Sequence, residues 1–278
     1  MECNPDDINI KNIKGWKNNN INRISLGVQS FFDSDLELMN RSHNSSTATQ
    51  AIELIKDNFK NFSIDLIYGI PESSFDIWKK NIDIGLKYDV PHISTYVLTV
   101  EPKTALIKLI EKNKIEEVSD IDQKLQFEYV YDYLLSLGYV NYEFSSFAKP
   151  GYECKNNVTY WNRGKYIGFG PSAHSFDGVK RKWNIRNNQK YIEKIKLNSI
   201  AYESEILSET DILNEIIMIG LRTSEGLDLD LIESKFSNLN LEKLIQQIQL
   251  KIMDGVLVKT DNKLHPSRDY KFLTDGIA

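Results

Sequence analysis

Short apolar runs alternate with helical patterns along the first two-thirds of the chain. The runs are rich in isoleucine, leucine and valine and are closed by glycine, proline or polar residues, which is typical of strands. They cover residues 23–28, 63–68, 92–98, 139–144 and 165–169. Between them, apolar side chains recur every three or four positions, which predicts helices over 33–40, 47–59, 75–88 and 120–137.

This alternation of strands and helices predicts βαβ units around a parallel sheet, and therefore an α/β fold class. The strands are continuously apolar and not alternating, as expected when both faces of the sheet are covered. The pattern fits an open doubly wound sheet and a closed barrel equally well.

The pattern changes near residue 200. Ser208, with Asp211 three residues later, resembles a capping box that starts a helix. Residues 228–236 and 240–253 predict two more helices, and a short strand begins at Gly255. Three helices and a β-wing predict a small winged-helix-like domain over 205–278, after a larger domain over 1–204.

The distribution of charge argues against nucleic-acid binding. The chain has 278 residues and a formal net charge of −5. Residues 205–278 hold 8 Lys and Arg against 13 Asp and Glu, whereas residues 1–204 hold 26 of each. Because phosphate neutralisation dominates the affinity of proteins for nucleic acids, the winged-helix-like part is expected to pack or dock and not to read DNA.

Targeting signals and cysteine usage predict a cytoplasmic protein, whose association with a membrane would be through partners. No apolar run of about 18 residues occurs. The segment from Met1 to Asp7 lacks the basic flank and apolar stretch of a signal peptide. The two cysteines, Cys3 and Cys154, are too few for a disulfide framework or for a CxxC-type metal site built by this chain alone.

Polar side chains stand where predicted strands end, and ligands of parallel α/β proteins bind at those ends. Glu2, Gln29, Thr99 and Glu101 lie at strand ends, and Asp65 lies inside an otherwise apolar strand. A carboxylate in a buried strand is costly without a partner. Carboxylates and amides in these places suit the hydroxyl and amino groups of a nucleotide-like ligand.

Three other segments could carry chemistry, although each also has a structural interpretation. His174 follows a Gly-x-Gly turn that would let a ligand approach the backbone closely. The segment from Asn156 to Trp161 brings two amides and two aromatic rings together. Cys154 is as easily a small buried hydrophobe as a ligand. No Ser/His/Asp triad spacing and no Walker phosphate loop stands out.

The motifs resemble those of one protein family. Residues 22–31, 40–43 and 63–71 are similar to the oxygen-independent coproporphyrinogen III oxidase family of radical SAM proteins. The later motifs look like its heme-chaperone branch, HemW, and lie at residues 142–151, 157–161 and 220–227. The resemblance runs from Glu2 to the C-terminus in the family's order.

The resemblance implies a fold, cofactors and partners. The fold would be a TIM-like radical SAM barrel, here partial, with a post-barrel extension up to residue 204 and a small, mostly helical C-terminal domain. The cofactors would be S-adenosyl-L-methionine (SAM), a [4Fe–4S] cluster and heme. The partners would be heme itself and heme-accepting proteins of the respiratory type.

The resemblance also implies roles for individual residues. Glu2 matches the carboxylate that holds the ribose of SAM, and Thr99 matches a position lining the same SAM. Three positions match residues that contact a second SAM in the coproporphyrinogen-converting relatives, namely Gln29, Arg41 and Asp65.

The chain departs from the family pattern at three places. The family's CxxxCxxC loop has no counterpart, and Cys3 and Cys154 cannot replace it, because the cluster needs three thiolates held on one short loop. His174 falls where the second SAM site has an apolar residue. Asn156 replaces the histidine of a His-Asn-x-x-Tyr-Trp motif associated with heme. A carboxamide is a poor iron ligand, so the expected axial donors are His174, His43 and Cys154.

These departures predict a truncated, split or degenerate family member that binds no cluster and is not catalytic alone. A split would make a separate N-terminal segment its partner. The leading functional hypothesis is heme binding and delivery. The alternatives are oxidative decarboxylation of coproporphyrinogen III and a binding-only fragment. A barrel without its first strands would also leave the strand near Arg23 partly unpaired along one side, which predicts that residues 1–204 alone are insoluble or oligomeric.

Overall fold

The computed structural model describes residues 1–100, 102 and 104–277, so the candidate Glu101 lies outside the described residues. The chain forms two compact units, Met1–Glu153 (unit 1) and Cys154–Ala278 (unit 2). None of the helices in the described part of the chain has the length and apolar character needed to span a bilayer.

Unit 1 alternates strands and helices. Its strands are β1 (Glu2–Cys3), β2 (Arg23–Gln29), β3 (Asn61–Tyr68), β4 (His92–Val97), β5 (Val140–Glu143) and β6 (Ser146–Ala148). Its helices are α1 (Ile10–Asn18), α2 (Asp33–Leu38), α3 (Ser45–Asn58), α4 (Phe75–Leu86), α5 (Ala105–Glu111) and α6 (Asp120–Ser136). The strands predicted over 23–28, 63–68 and 92–98 are thus confirmed as β2, β3 and β4.

One six-stranded sheet organises unit 1, in the order β1-β2-β3-β4-β6-β5. Strands β1 to β4 are parallel, whereas β6 is antiparallel to both β4 and β5. The prediction of an all-parallel sheet is therefore wrong at this edge. The chain turns back directly after Glu143, with no helix between β5 and β6, and such a short connection can join only antiparallel strands.

The hydrophobic core of unit 1 lies on one face of this sheet. Its fully buried side chains include Ile24 and Leu26 of β2, Ile64 and Leu66 of β3, and Ile93 of β4. Successive residues of a strand point to opposite faces. The intervening residues therefore line the other face, and they are polar: Ser25, Ser63, Asp65 and Ser94.

The edge of β2 has a partner over part of its length. Glu2 pairs with Ser25 and Cys3 pairs with Leu26, and the Met1 ammonium donates to the Arg23 carbonyl at 2.7 Å. The strand near Arg23, expected to be partly unpaired along one side, therefore has a partner from Arg23 to Leu26. A two-residue strand satisfies these backbone groups, and so short a strand leaves no apolar run to detect. The aggregation of residues 1–204 alone stays a prediction.

Unit 2 combines helices with short strands. Its helices are α7 (Lys155–Trp161), α8 (Asn188–Lys196), α9 (Glu209–Arg222), α10 (Leu229–Lys235), α11 (Glu242–Met253) and α12 (Thr274–Ile277). Its strands are β7 (His174–Phe176), β8 (Lys180–Asn184), β9 (Tyr202–Ile206), β10 (Leu227–Asp228), β11 (Leu257–Thr260) and β12 (Lys263–Pro266).

Two antiparallel three-stranded sheets belong to unit 2, in the orders β7-β8-β9 and β10-β12-β11. Helices α9 to α11 and the β11–β12 hairpin confirm the predicted three helices and β-wing. The strand predicted over 165–169 is wrong: Tyr166 forms only an isolated bridge with Phe176. The apolar residues that suggested a strand, Ile167 and Phe169, are exposed, so they cover no core.

The predicted domain boundary after residue 204 falls inside β9, within unit 2. Residues 154–204, which the prediction assigned to the first domain, therefore share a unit with the winged-helix-like part. That part has its own core, formed by Leu213, Ile216, Leu221, Leu227, Ile232, Phe236, Leu257 and Leu264. The independence of 205–278 as a domain stays a prediction.

Candidate functional site

A ladder of hydroxyl groups crosses the polar face of the unit 1 sheet around one carboxylate. Ser25 donates to the two carboxylate oxygens of Asp65 at 3.2 and 3.4 Å, and the Ser63 hydroxyl donates to the Ser25 oxygen at 2.9 Å. On the other side of Asp65, its register partner is Ser94, whose hydroxyl accepts from Ser146 at 3.4 Å. Four neighbouring strands therefore contribute side chains to one polar surface.

Asp65 carries the most informative electrostatics of this surface. Burial raises the pKa of its carboxyl group to about 6, against the opposing effect of hydrogen bonds from Ser94 and Ser25. The charge of Glu2 raises this pKa further, and that of Arg23 lowers it. Arg23 donates to the amide oxygen of Asn61 and to the Tyr152 carbonyl, and not to Asp65. A carboxylate on a polar face that has no ion-pair partner among the described residues is a candidate for binding ligand hydroxyl or ammonium groups.

Glu2 and Gln29 stand at the edge of this surface. Glu2 pairs with Ser25, the donor to Asp65, and its own side chain is exposed. Gln29 ends β2 at an irregularity in the register with β3 and has a positive φ of 66°. Such a backbone is strained for a residue with a side chain and is frequent at binding sites. Gly27 leaves room for the Gln29 side chain, because a Cβ at residue 27 would lie 2.7 Å from Nε2 of Gln29.

Arg41 and Thr99, which were also predicted to bind SAM, form no hydrogen bond with the serine ladder in the described part of the chain. Arg41 is exposed after α2, and its backbone N–H donates to the Leu36 carbonyl at 2.9 Å. Thr99 is exposed two residues after β4 ends. Neither side chain hydrogen-bonds to another residue within the described ranges. Both side chains are open to a ligand, and their roles stay predictions.

The pattern did not single out His92, which the structure places close to the ladder. His92 starts β4, pairs with Ser63 and lies 2.9 Å from the Tyr142 hydroxyl through Nε2. Burial, helped by the charge of Arg23, lowers its pKa to about 3, so the ring is neutral at physiological pH. The sequence feature that could have indicated His92 is a histidine at the first position of an apolar strand.

The three predicted heme donors have different environments. His43, in unit 1, is buried, and its Nε2 lies 3.0 Å from the Val28 carbonyl. Cys154, in unit 2, is half-buried and donates through Sγ to the amide oxygen of Asn157 at 3.4 Å. His174, at the start of β7, is exposed, and its ring centroid is 6.4 Å from that of Trp183. Asn156 is exposed on α7.

A cavity of about 450 Å³ in unit 2 joins two of the family-like motifs. Trp161 and Arg163 line it from one side, and Gly220 and Gly226 line it from the other. The Arg222 guanidinium lies 5.4 Å from the Trp161 ring centroid, within cation–π distance. Residues 157–161 and 220–227 therefore meet in space, which their separation in the sequence did not indicate.

The side chains present do not fit a [4Fe–4S] cluster. No group of three or more His, Cys, Asp or Glu side chains in the described part of the chain could hold a metal ion. Cys3 lies in unit 1, where burial raises the pKa of its thiol, and Cys154 lies in unit 2. Since iron–sulfur clusters of this type need several thiolates together, no chemical step can be assigned to a cluster here.

Comparison with known proteins identifies the family. The radical SAM superfamily profile matches residues 1–83, and the HemN C-terminal domain profile matches residues 207–269. The heme chaperone HemW of Bacillus subtilis (strain 168) is 30% identical over 281 aligned positions, which cover all of this chain and 74% of that protein. The chain belongs to the HemW family. The HemW of Lactococcus lactis subsp. lactis (strain IL1403) is 31% identical and covers 95% of this chain and 70% of its own length.

A solved structure agrees with the family assignment at the level of the fold. Coproporphyrinogen III oxidase (HemN) from Escherichia coli, a radical SAM enzyme, superimposes with a TM-score of 0.79 at 19% sequence identity. The match covers 99% of this HemW-family chain and 67% of the enzyme. The α/β radical SAM fold with a helical C-terminal part, expected from the motifs, is thereby confirmed. The roles of the individual site residues stay predictions.

Proposed function

We propose that this HemW-family protein binds heme and delivers it to acceptor proteins, as the name heme chaperone states for its relatives. The observation that carries the proposal is the alignment of this whole chain, at 30% identity, with 74% of the Bacillus subtilis heme chaperone. The likeness to the Escherichia coli oxidase concerns the fold alone and adds no second function. Respiratory-type acceptors and a cytoplasmic location belong to the same proposal.

His174 is the proposed heme-iron donor. Its imidazole is exposed, whereas Nε2 of His43 is buried against a carbonyl and the Cys154 thiol donates to Asn157. The register partner of His174 on the neighbouring strand is Trp183, so an aromatic ring lies beside the proposed donor. Histidine is a common axial ligand of heme iron.

A heme titration followed at the Soret band tests this assignment. Wild type and Asn156→Ala should show the same shift, and His174→Ala should lose it. Cys154→Ser serves as a second control in unit 2. Loss of the shift in Asn156→Ala with retention in His174→Ala would contradict the assignment.

SAM binding at the polar face of unit 1 is the second part of the proposal. The Asp65 carboxylate, the nearby Glu2 and the strained Gln29 offer acceptors for the ribose hydroxyl and amino groups of SAM. Thr99 and Arg41, the other residues of this predicted site, are exposed. Equilibrium dialysis with labelled SAM should show weaker binding by Asp65→Asn than by wild type. Equal SAM binding by Asp65→Asn and wild type would show that Asp65 is not part of the SAM site.

The protein is expected to hold no iron–sulfur cluster. Its two cysteines lie in different units, so they cannot supply three thiolates to one cluster. Anaerobic reconstitution followed by iron and sulfide analysis checks this. A content of about four irons per chain, with broad visible absorption lost on reduction, would contradict it.

A further inference from the structure

Helix α8 and the turn that follows it form an exposed, basic and apolar surface on unit 2. Of residues 186–200, all but Tyr191 are exposed. The apolar side chains are large and open to solvent: Ile192 is 50% exposed, Ile195 52%, Leu197 76% and Ile200 66%. A soluble surface rarely exposes so many neighbouring aliphatic side chains without a function.

The helical spacing sorts these side chains into faces. Ile195 lies three residues after Ile192 and four after Tyr191, so the three side chains share one stripe of α8. Lys194 and Lys196 border this stripe on its two sides, and the opposite face carries Gln189, Lys190 and Glu193. An apolar stripe bordered by lysines is typical of a helix that lies in the plane of a membrane interface. Lysine side chains can keep their charge in the headgroups while their stems cover apolar surface.

The charge of this segment is not neutralised within the protein. Residues 186–200 contain four cations, Arg186, Lys190, Lys194 and Lys196, against the single carboxylate of Glu193. None of these four cations forms an ion pair with a residue that the structure describes. The adjacent strand β8 differs, since Arg181 pairs with Glu205 at 3.3 Å and also with Glu215.

We infer that α8 and residues 197–200 bind the surface of an anionic lipid membrane. The isoleucine and leucine side chains enter the boundary between headgroups and acyl chains, and the lysines contact anionic headgroups. An anionic bilayer complements a surplus of positive charge on a chain whose overall net charge is −5. A flat interface also suits a helix on which every side chain but Tyr191 is exposed. This inference does not depend on heme or SAM binding.

Vesicle co-sedimentation of the full chain tests the inference. Two vesicle types are used, pure phosphatidylcholine and a mixture of phosphatidylcholine with phosphatidylglycerol. Wild type should bind the mixed vesicles in low salt, bind pure phosphatidylcholine much less, and be released as salt rises. Failure of wild type to bind the anionic vesicles would overturn the inference.

Three variants separate the charge and apolar contributions. Changing Lys190, Lys194 and Lys196 to Gln should weaken binding on the order of fivefold per cation. Changing Ile192 and Ile195 to Ser should weaken it even when all cations are retained. The matched control changes three exposed lysines elsewhere to Gln, namely Lys14, Lys243 and Lys259, and should bind like wild type.

Three other outcomes of these experiments would contradict the inference. Normal binding by the isoleucine variant would mean that no side chain is inserted. Equal loss in the lysine control would mean a non-specific effect of net charge. Size-exclusion chromatography of each variant identifies a different occupant, because self-association of wild type that the α8 variants abolish would show that this face binds a second copy. Circular dichroism verifies folding, which is expected since the substituted side chains are exposed, and the lysine variant decides alone if the isoleucine variant misfolds.

Discussion

Asp65 is the only charged residue of strand β3. Its titration couples the stability of unit 1 to pH. Its pKa is about 6 in the folded protein, above the ordinary value of 3.8. The folded state therefore binds a proton more tightly than the unfolded state between these two pH values. The linkage makes the folded state less stable as pH rises through this window, by about 3 kcal/mol once both states are ionised.

Asp65→Asn should remove this penalty. We expect the variant to be more stable than wild type by about 1–3 kcal/mol at pH 8, with a much smaller difference at pH 4, because the neutral acid already dominates there. Native-state hydrogen exchange of the β3 amides measures the effect locally.

Asp33→Asn is the control with the opposite sign. Hydrogen bonds from Ser45 lower the pKa of the exposed Asp33 carboxyl, so the ionised form stabilises the fold above the unfolded pKa. This variant should lose stability at pH 8. A gain at pH 8 in both variants would show that the effect at Asp65 is not a burial penalty.

His92 acts in the opposite direction over almost the same pH range. Its folded pKa of about 3 lies below the ordinary 6.5, so the stability present above pH 6.5 is lost as pH falls towards 3. Urea unfolding at pH 7.5 and 4.5 should show a smaller loss of stability on acidification in His92→Gln than in wild type. An unchanged pH dependence would mean that the ring is solvated and protonates normally in the folded protein.

The residue scale also shows where prediction from sequence succeeds and fails. Asp65 could be found because one charge interrupts an apolar run, and Glu2 because it precedes Asn4 and Pro5. The serine ladder could not be found in the same way. Ser25, Ser63 and Ser94 are ordinary polar residues until the strand register aligns them, and register is a property of the pairing of strands and not of one strand.

At the scale of elements, the turn between α9 and β10 depends on one glycine. Gly226 has a φ of +77°, and a Cβ on it would overlap the ring of His265. Gly226→Ala should therefore destabilise the winged-helix-like part by about 2–4 kcal/mol, through backbone strain and displacement of the ring. Thermal unfolding by circular dichroism measures this.

Gly15→Ala is the matched control, because Gly15 lies within α1 and nothing surrounds its missing Cβ within 4 Å. That substitution should stabilise the chain by about 0.5–1 kcal/mol. If Gly226→Ala left the free energy of unfolding unchanged, the turn would have relaxed without strain. Packing against His265 would then not explain the glycine in the 220–227 motif.

Elements escaped prediction when their strands were short or exposed. Strand β9 is exposed along its length, and β8 is only partly buried. Their sequences contain no apolar run, because neither strand covers a core. The 165–169 segment gave the reverse error, since apolar composition without burial does not make a strand. Helices α3, α4 and α6 were predicted because their buried stripes recur with helical spacing.

At the scale of the whole molecule, the division into folding units can be tested by cutting the chain. The core of the winged-helix-like part lies entirely between Leu213 and Leu264. Strand β9 ends at Ile206, so a cut after residue 206 preserves the β7-β8-β9 sheet, whereas the predicted boundary after 204 splits β9. We expect residues 207–278 to fold alone with a cooperative thermal transition.

Leu264→Ala supplies the control for this fragment. Leu264 is fully buried in that core, and its truncation should cost about 3 kcal/mol and abolish the transition. A fragment 207–278 without a cooperative transition, beside a cooperative 154–278 fragment, would mean that unit 2 is indivisible.

The two thiols of the protein differ in exposure, so one of them can be labelled selectively with a fluorescent dye. A maleimide dye needs the thiolate, and burial both hides Cys3 and raises its pKa, whereas Cys154 is only half-buried. Brief labelling near neutral pH should therefore modify Cys154 alone, without engineered cysteines. The dye would sit two residues before Asn156 on the chain, and heme absorbs visible light strongly, so heme arriving in unit 2 would quench the emission and report its own loading in real time.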